Sequence, residues 1–195
     1  RPVGPSAISM TTPKRVLVPV ADASEDIELA CTTDVLVRAG AEVTVASVMP
    51  NQLSVKLARG LKLTADCLID DCIGQEWDAI ALPGGMPGAL HLAESSALSV
   101  LLQRQVEAKK LTAAICASPA VVLATHALIE GSWTCYPAPN FKEAQTGWVD
   151  SKVVVNGCVV TSQGPGTSLQ FALKLVEILF GKPKSDELAS AFLFR

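Results

Sequence analysis

The sequence predicts one α/β domain, a mostly parallel β-sheet with helices on both faces. Two observations carry this. After Pro13, short β-rich aliphatic runs alternate with helix-length runs, the order that joins parallel strands through helical crossovers. The 195 residues are 49% hydrophobic and 18% charged, enough for one dense aliphatic core and too short a chain for two ordinary catalytic domains.

Arg15 to Val20 (RVLVPV) reads as the first buried strand. Asp22, with Glu25 three residues later, is placed as the N-cap of a helix from about Ser24 to Ala39, and Gly40 stops it. Glu42 to Val48 follows as a second strand. Leu53 to Asp66 reads as a small hairpin turning near Arg59-Gly60, and Asp78 to Leu82 as the third parallel strand. After Pro83-Gly84-Gly85, a helix from about Ala97 to Lys109 leads into the strand Leu111 to Ile115, with a further helix from Ser118. Beyond Gly131 the pattern turns β-like at Trp133 to Tyr136 and Trp148 to Asp150. Lys152 to Thr161 forms a hairpin turned at Asn156-Gly157. Gly164-Pro165-Gly166 precedes a helix to Phe180, and Ser185 to Phe192 forms a terminal helix.

Composition excludes several functions. Sixteen Lys and Arg against 19 Asp and Glu leave a net charge of -3, with no basic surplus for strong nucleic-acid binding or for docking on anionic lipid. Two histidines rule out a multi-histidine metal centre, and neither a metal nor a cofactor is expected. Leu111 to Ile129 (LTAAICASPAVVLATHALI) is nearly as long as a membrane span. Its alanines, its polar residues and the Ser118-Pro119 break fit a buried strand, a turn and a packed helix better. Six cysteines lie scattered without a C-x-x-C pair, which reads as reduced thiols in a cytoplasmic protein. Residues 1–13 read as a leader or cloning remnant plus the native start near Met10, and 14–195 as the single domain.

In open α/β sheets, sites form beyond the carboxyl ends of the strands. Cys116 stands there, between a buried strand and a helix start, in the position of a nucleophile elbow. The helix's free N–H groups and dipole are expected to favour its thiolate. Helical spacing sets Glu28 on a stripe with Thr32, Val35 and Ala39. Desolvation there would keep its carboxyl protonated near neutral pH, able to donate to a thiolate or to move a proton. An exposed helix glutamate is the competing reading. Gly84-Gly85 and the Gly164, Gly166 turn offer backbone N–H groups to an oxyanion, or are merely tight turns. His126 lies about 15 Å down the following helix from Cys116, and His91 reads as a solvated loop residue, so a Cys-His hydrolytic pair is poorly supported.

Four segments, Ser24-Glu25-Asp26-Ile27-Glu28, Leu82-Pro83-Gly84-Gly85, Ala113-Ala114-Ile115-Cys116-Ala117 and Ser162-Gln163-Gly164-Pro165-Gly166-Thr167, resemble the ThiJ/PfpI superfamily. They occur in family order, and within the superfamily they look like the DJ-1 and YajL branch. The resemblance implies a flavodoxin-like, Rossmann-type sandwich, a homodimer, and an oxidisable elbow cysteine hydrogen-bonded by a protonated glutamate. Motif matching gives those roles to Cys116 and Glu28, with Gly85 and Ala117 supplying oxyanion N–H groups, and Gly84, Tyr136 and Gln163 beside the substrate. Ala117 stands where family peptidases commonly place a histidine. Tyr136 replaces a histidine of the animal members and Gln163 an arginine, as in the bacterial branch.

The implied activity is a cofactor-independent glyoxalase or deglycase acting on methylglyoxal, glyoxal or early glycation adducts, protecting against carbonyl and oxidative stress. A redox-sensing stress chaperone acting through Cys116 oxidation is the alternative. A cysteine peptidase or amidase is the less favoured third.

Overall fold

The structure is a computed structural model and describes residues 12–194; the leader reading for the first residues falls largely outside that range. In chain order the elements are β1 (Arg15–Val20), α1 (Asp26–Ala39), β2 (Glu42–Ser47), β3 (Ser54–Lys56), β4 (Lys62–Thr64), β5 (Cys67–Leu68), a 3-10 turn (Ile69–Cys72), β6 (Ala79–Leu82), α2 (Gly88–Glu94) and α3 (Ser96–Glu107). There follow β7 (Leu111–Ile115), a π-helical segment (Pro119–Ala124), α4 (Pro139–Lys142), β8 (Val153–Asn156), β9 (Val159–Ser162), a 3-10 turn (Pro165–Thr167), α5 (Ser168–Phe180) and α6 (Lys182–Ala191).

Seven strands form the main sheet in the order β5-β2-β1-β6-β7-β9-β8. All neighbours are parallel except β8 and β9, the hairpin that Asn156-Gly157 turns. Alternation along each strand divides the core. Val16, Val18, Val20, Ala79, Ala81, Ala113 and Ile115 face the layer of α1, α5 and α6, which adds Val35, Leu36, Phe171 and Leu175. Leu17, Ile80, Leu82 and Ala114 face the other layer, filled by Leu92, Leu98, Leu102 and Leu123. The fully buried Val, Leu, Ile and Phe side chains contribute roughly 1.5–3 kcal/mol each, so the predicted two-faced sandwich follows from aliphatic alternation.

Several boundaries differ from the sequence reading. The N-cap of α1 is Glu25, whose Oε2 accepts from the Glu28 N–H at 2.8 Å. Asp22 instead accepts from the Lys56 N–H at 2.8 Å and anchors the β3–β4 hairpin. The helix expected from Ser118 is a short π-helical segment. The Trp133 and Trp148 runs meet in a single bridge rather than forming strands. The terminal helix starts at Lys182, because Gly181 breaks the chain from α5 and Pro183 fits its first turn. No helix among the described residues is long and apolar enough to cross a membrane.

Candidate active site

The site gathers where β1, β6, β7 and β9 end. Cys116 directly follows β7 with φ of 65°, a left-handed conformation that costs a residue with a β-carbon about 1–2 kcal/mol. The surroundings enforce it. Its N–H donates to the Ser162 carbonyl at 3.0 Å, and its own carbonyl accepts from the Tyr136 N–H at 2.8 Å. Ser118, fully buried, donates its hydroxyl to the Pro83 carbonyl and ties the elbow to the loop after β6.

That loop approaches too closely for any side chain. A β-carbon on Gly84 would lie 2.6 Å from the Cys116 β-carbon and 3.0 Å from the Ala117 nitrogen. Gly85 has φ of +90°, and a β-carbon there would sit 2.4 Å from the Ala23 carbonyl oxygen. Gly88 meets the same Ala23–Ser24 backbone, at 2.6 Å from the Ser24 nitrogen. The Glu25 N–H donates to the Gly84 carbonyl at 3.0 Å. The glycines thus let the loops after β1 and β6 touch and bring α1 to the cysteine.

Glu28 is fully buried, on the face of α1 that also buries Thr32, Val35 and Ala39, which overturns the exposed-helix alternative. Its Oε2 accepts from the Gly84 N–H at 2.7 Å, while Oε1 is buried with no hydrogen-bond partner. Desolvation raises its pKa to about 7; the Gly84 N–H and the Cys116 thiol oppose that rise, and the charge of Glu25 adds to it. The thiol moves opposite to the sequence expectation. Burial first, then the proximity of the Glu28 carboxyl, push Cys116 up to about 12, although the neighbouring Gly85 and Ala117 N–H groups pull it down. The helix-start effect is therefore outweighed. The two groups titrate as a pair: near neutral pH it releases one proton and keeps the other, since two negative charges would otherwise face each other in a buried site.

The remaining candidates divide. Tyr136 is half exposed, held to the elbow through its backbone, with its ring against Gly164, where an added β-carbon would lie 3.5 Å from Cδ2. Gln163 follows the Ser162 carbonyl that holds Cys116, but its Nε2 donates to Asp150 Oδ1 at 2.8 Å. Gly84 positions Cys116 and Glu28 by close packing. His126 engages the Ala93 carbonyl through Nε2 at 2.9 Å, and His91 lies in α2 rather than in a loop. Ser118 and Gly88 were missed as site-building residues. The Cys-x-Ser spacing was the one signal for the first, whereas the second shows only in the close approach of two loops.

A DJ-1/PfpI family model matches residues 14–178. Among curated proteins, the chain is 44% identical over 180 residues to "Protein DJ-1 homolog B" of Arabidopsis thaliana, covering 92% of this chain and 41% of that protein. The chain thus spans less than half the length of this plant relative. It is 40% identical over 175 residues to "Glutathione-independent glyoxalase DJR-1.2" of Caenorhabditis elegans, covering 89% and 91% of the two chains. Among solved structures, oxidized DJ-1 of Toxoplasma gondii superposes with a TM-score of 0.89 at 43% identity, covering 93% and 98%. Fold, elbow and family match agree: the chain belongs to the DJ-1/PfpI family and carries its flavodoxin-like α/β fold.

Proposed function

We propose that this protein is a cysteine-dependent, cofactor-independent glyoxalase acting on methylglyoxal, glyoxal or their early adducts. The observation that carries the reading is the buried pair of Cys116 and Glu28, with the Gly85 and Ala117 N–H groups on the sulfur and Glu28 Oε1 unpartnered. The singly protonated pair supplies a thiolate whenever its proton sits on Glu28. The Cys116 sulfur adds to the aldehyde carbon, and the developing oxyanion is held by the Gly85 and Ala117 N–H groups. Glu28 gives that oxygen its proton and becomes a carboxylate. It then takes the proton from the former aldehyde carbon, forming an enediolate, and returns it to the neighbouring carbon while the hydroxyl proton on the first oxygen passes to the second. The resulting thioester of the 2-hydroxy acid is hydrolysed by water, which regenerates the thiol. No net oxidation occurs, so neither a cofactor nor a metal enters the balance. The name of the nematode relative supports the same class of activity. The test is lactate formation from methylglyoxal, without glutathione, by wild type and by Cys116→Ser. Deglycation of early adducts would follow from the same addition step.

A second reading rests on Glu28 Oε1. An oxidised Cys116 sulfur carries oxygens that this buried, unpartnered atom can address once protonated, beside the same two N–H groups. This favours a redox-sensing role at the same residue, tested by intact mass after graded peroxide, with Cys116 oxidised before Cys31 and Cys158. A stress-chaperone output would follow from that oxidised state. A peptidase reading gains no base, since the Nε2 of His126 is engaged by Ala93.

The working unit is proposed as a homodimer. Ile27 on α1 and Leu61 on the adjoining hairpin are 56% and 61% exposed. Asp26, accepting from the Arg59 and Leu61 N–H groups, ties the two elements together beside the site. The free cysteines suit a reducing compartment, and we assign the protein to the cytoplasm.

A further inference from the structure

Two thiols remote from the active site are placed together by the fold. Cys67 lies on β5, an edge strand of the main sheet, and Cys72 ends the 3-10 turn that follows. One turn folds the chain back on itself and brings the two sulfurs to 3.6 Å, in contact and unbonded. Cys72 is fully buried, and its sulfur also reaches the Leu68 carbonyl at 3.9 Å. Cys67 is half-buried, on the side a small reagent reaches first. A disulfide bond is about 2.05 Å long, so the sulfurs need to approach by about 1.5 Å. The segment that must give is lightly held: β5 pairs with β2 alone, through Ala46↔Cys67 and Ser47↔Leu68.

We propose that Cys67 and Cys72 form a reversible dithiol–disulfide site whose oxidant is a low-molecular-weight disulfide, with Cys67 as the entering thiol and Cys72 as the resolving one. The Cys67 thiolate attacks one sulfur of the small disulfide, which leaves as one thiol and leaves a mixed disulfide on Cys67. Cys72 loses its proton and attacks the Cys67 sulfur, releasing the second small thiol. Two protein thiols are oxidised by two electrons, and one disulfide is reduced to two thiols. The order of attack follows from burial. Desolvation and the neighbouring Cys67 hold the Cys72 thiol up, near 12, against the charge of Arg15, so Cys72 reacts only when a sulfur is delivered beside it.

This site is independent of Cys116. β5 stands four positions from β7 in the sheet, roughly 19 Å at the usual strand spacing, so neither thiol of the pair can resolve an oxidised Cys116. The chemistry here is disulfide exchange at a pair of thiols on the sheet edge, whereas Cys116 sits in a dedicated elbow. Its consequence is a covalent tie between the edge strand and the turn that leads towards β6.

The experiment incubates the full chain with oxidised glutathione, blocks free thiols by alkylation, and maps the products by mass. Wild type and Cys116→Ser should both lose two hydrogens. Cleavage before Asp70 should then leave the Cys67 and Cys72 fragments joined until they are reduced. Cys72→Ser should accumulate one glutathione on Cys67, and Cys67→Ser should carry none on Cys72. Alkylation of both thiols in oxidised wild type, or a stable glutathione adduct on Cys67 with Cys72 still free, would overturn the proposal. The wild-type map decides the matter even where a variant folds poorly.

Discussion

Gly84 packs against Cys116 so closely that a β-carbon on the glycine would lie 2.6 Å from that of the cysteine. The same glycine donates its N–H to Glu28 at 2.7 Å. One residue without a side chain therefore fixes the distance between the elbow and the Glu28 carboxyl. The strained backbone of Cys116 is held from three sides, by Gly84, by the Ser162 carbonyl and by the Tyr136 N–H.

Gly84→Ala should separate these groups. The added methyl meets the Ile115 carbonyl at 2.9 Å and the Ala117 nitrogen at 3.0 Å as well as the cysteine, and backbone cannot yield as a flexible side chain would. Overpacking of this kind costs about 1–3 kcal/mol. Urea unfolding should show that loss, and thiol-dependent turnover should fall by more than tenfold in the fraction that remains folded. Unchanged stability and turnover would mean that the loop relaxes freely.

Glu28 should make the folded state less stable as pH rises. Its folded pKa of about 7 lies above the ordinary 4.5, so between those values the native protein keeps a proton that the unfolded chain has released. Stability from this group is complete below about pH 4.5 and is lost as pH rises through about 7. The gap corresponds to about 3 kcal/mol. Glu28→Gln mimics the protonated carboxyl, and its unfolding free energy should fall less than that of wild type from about pH 4.5 to about pH 8. Parallel curves for the two proteins would show that Glu28 ionises as an ordinary carboxyl.

The apolar surface beside the site should be covered by a second copy of the chain. Ile27→Lys places a charge on the exposed part of α1 without entering the core, since Ile27 is 56% exposed. Light scattering at micromolar concentration should give a dimer mass for wild type and a shift towards monomer for the variant. A monomeric wild type would remove the dimer from the proposal.

Much of this was legible in the sequence because it rests on local pattern. Val16 to Val20, Leu111 to Ile115 and the Asn156-Gly157 turn each carry their structure in adjacent residues. β5 has two residues, and α2 has seven beginning with glycine, too short to build a periodic signal. The elbow position of Cys116 and the burial of Glu28 were readable because one follows a strand and the other shares a helical face with Thr32, Val35 and Ala39. The direction of the thiol's pKa was not readable, since it depends on how deeply Glu28 is buried opposite it. The Cys67–Cys72 contact was equally hidden. Their spacing becomes a pair only when the 3-10 turn closes it.

The most direct measurement is the initial rate of lactate formation from methylglyoxal by freshly reduced wild type, Cys116→Ser and Glu28→Gln, without glutathione or added metal. Turnover by wild type, none by the serine variant, and at least a hundredfold loss in the glutamine variant, which cannot carry the proton between carbons, is the expected result. General acid–base catalysis contributes about 10²–10⁴-fold, so a loss of that size identifies Glu28 as the shuttle. Lactate formation by Cys116→Ser at the wild-type rate, or none by reduced wild type, would contradict a thiol-dependent glyoxalase built on this pair.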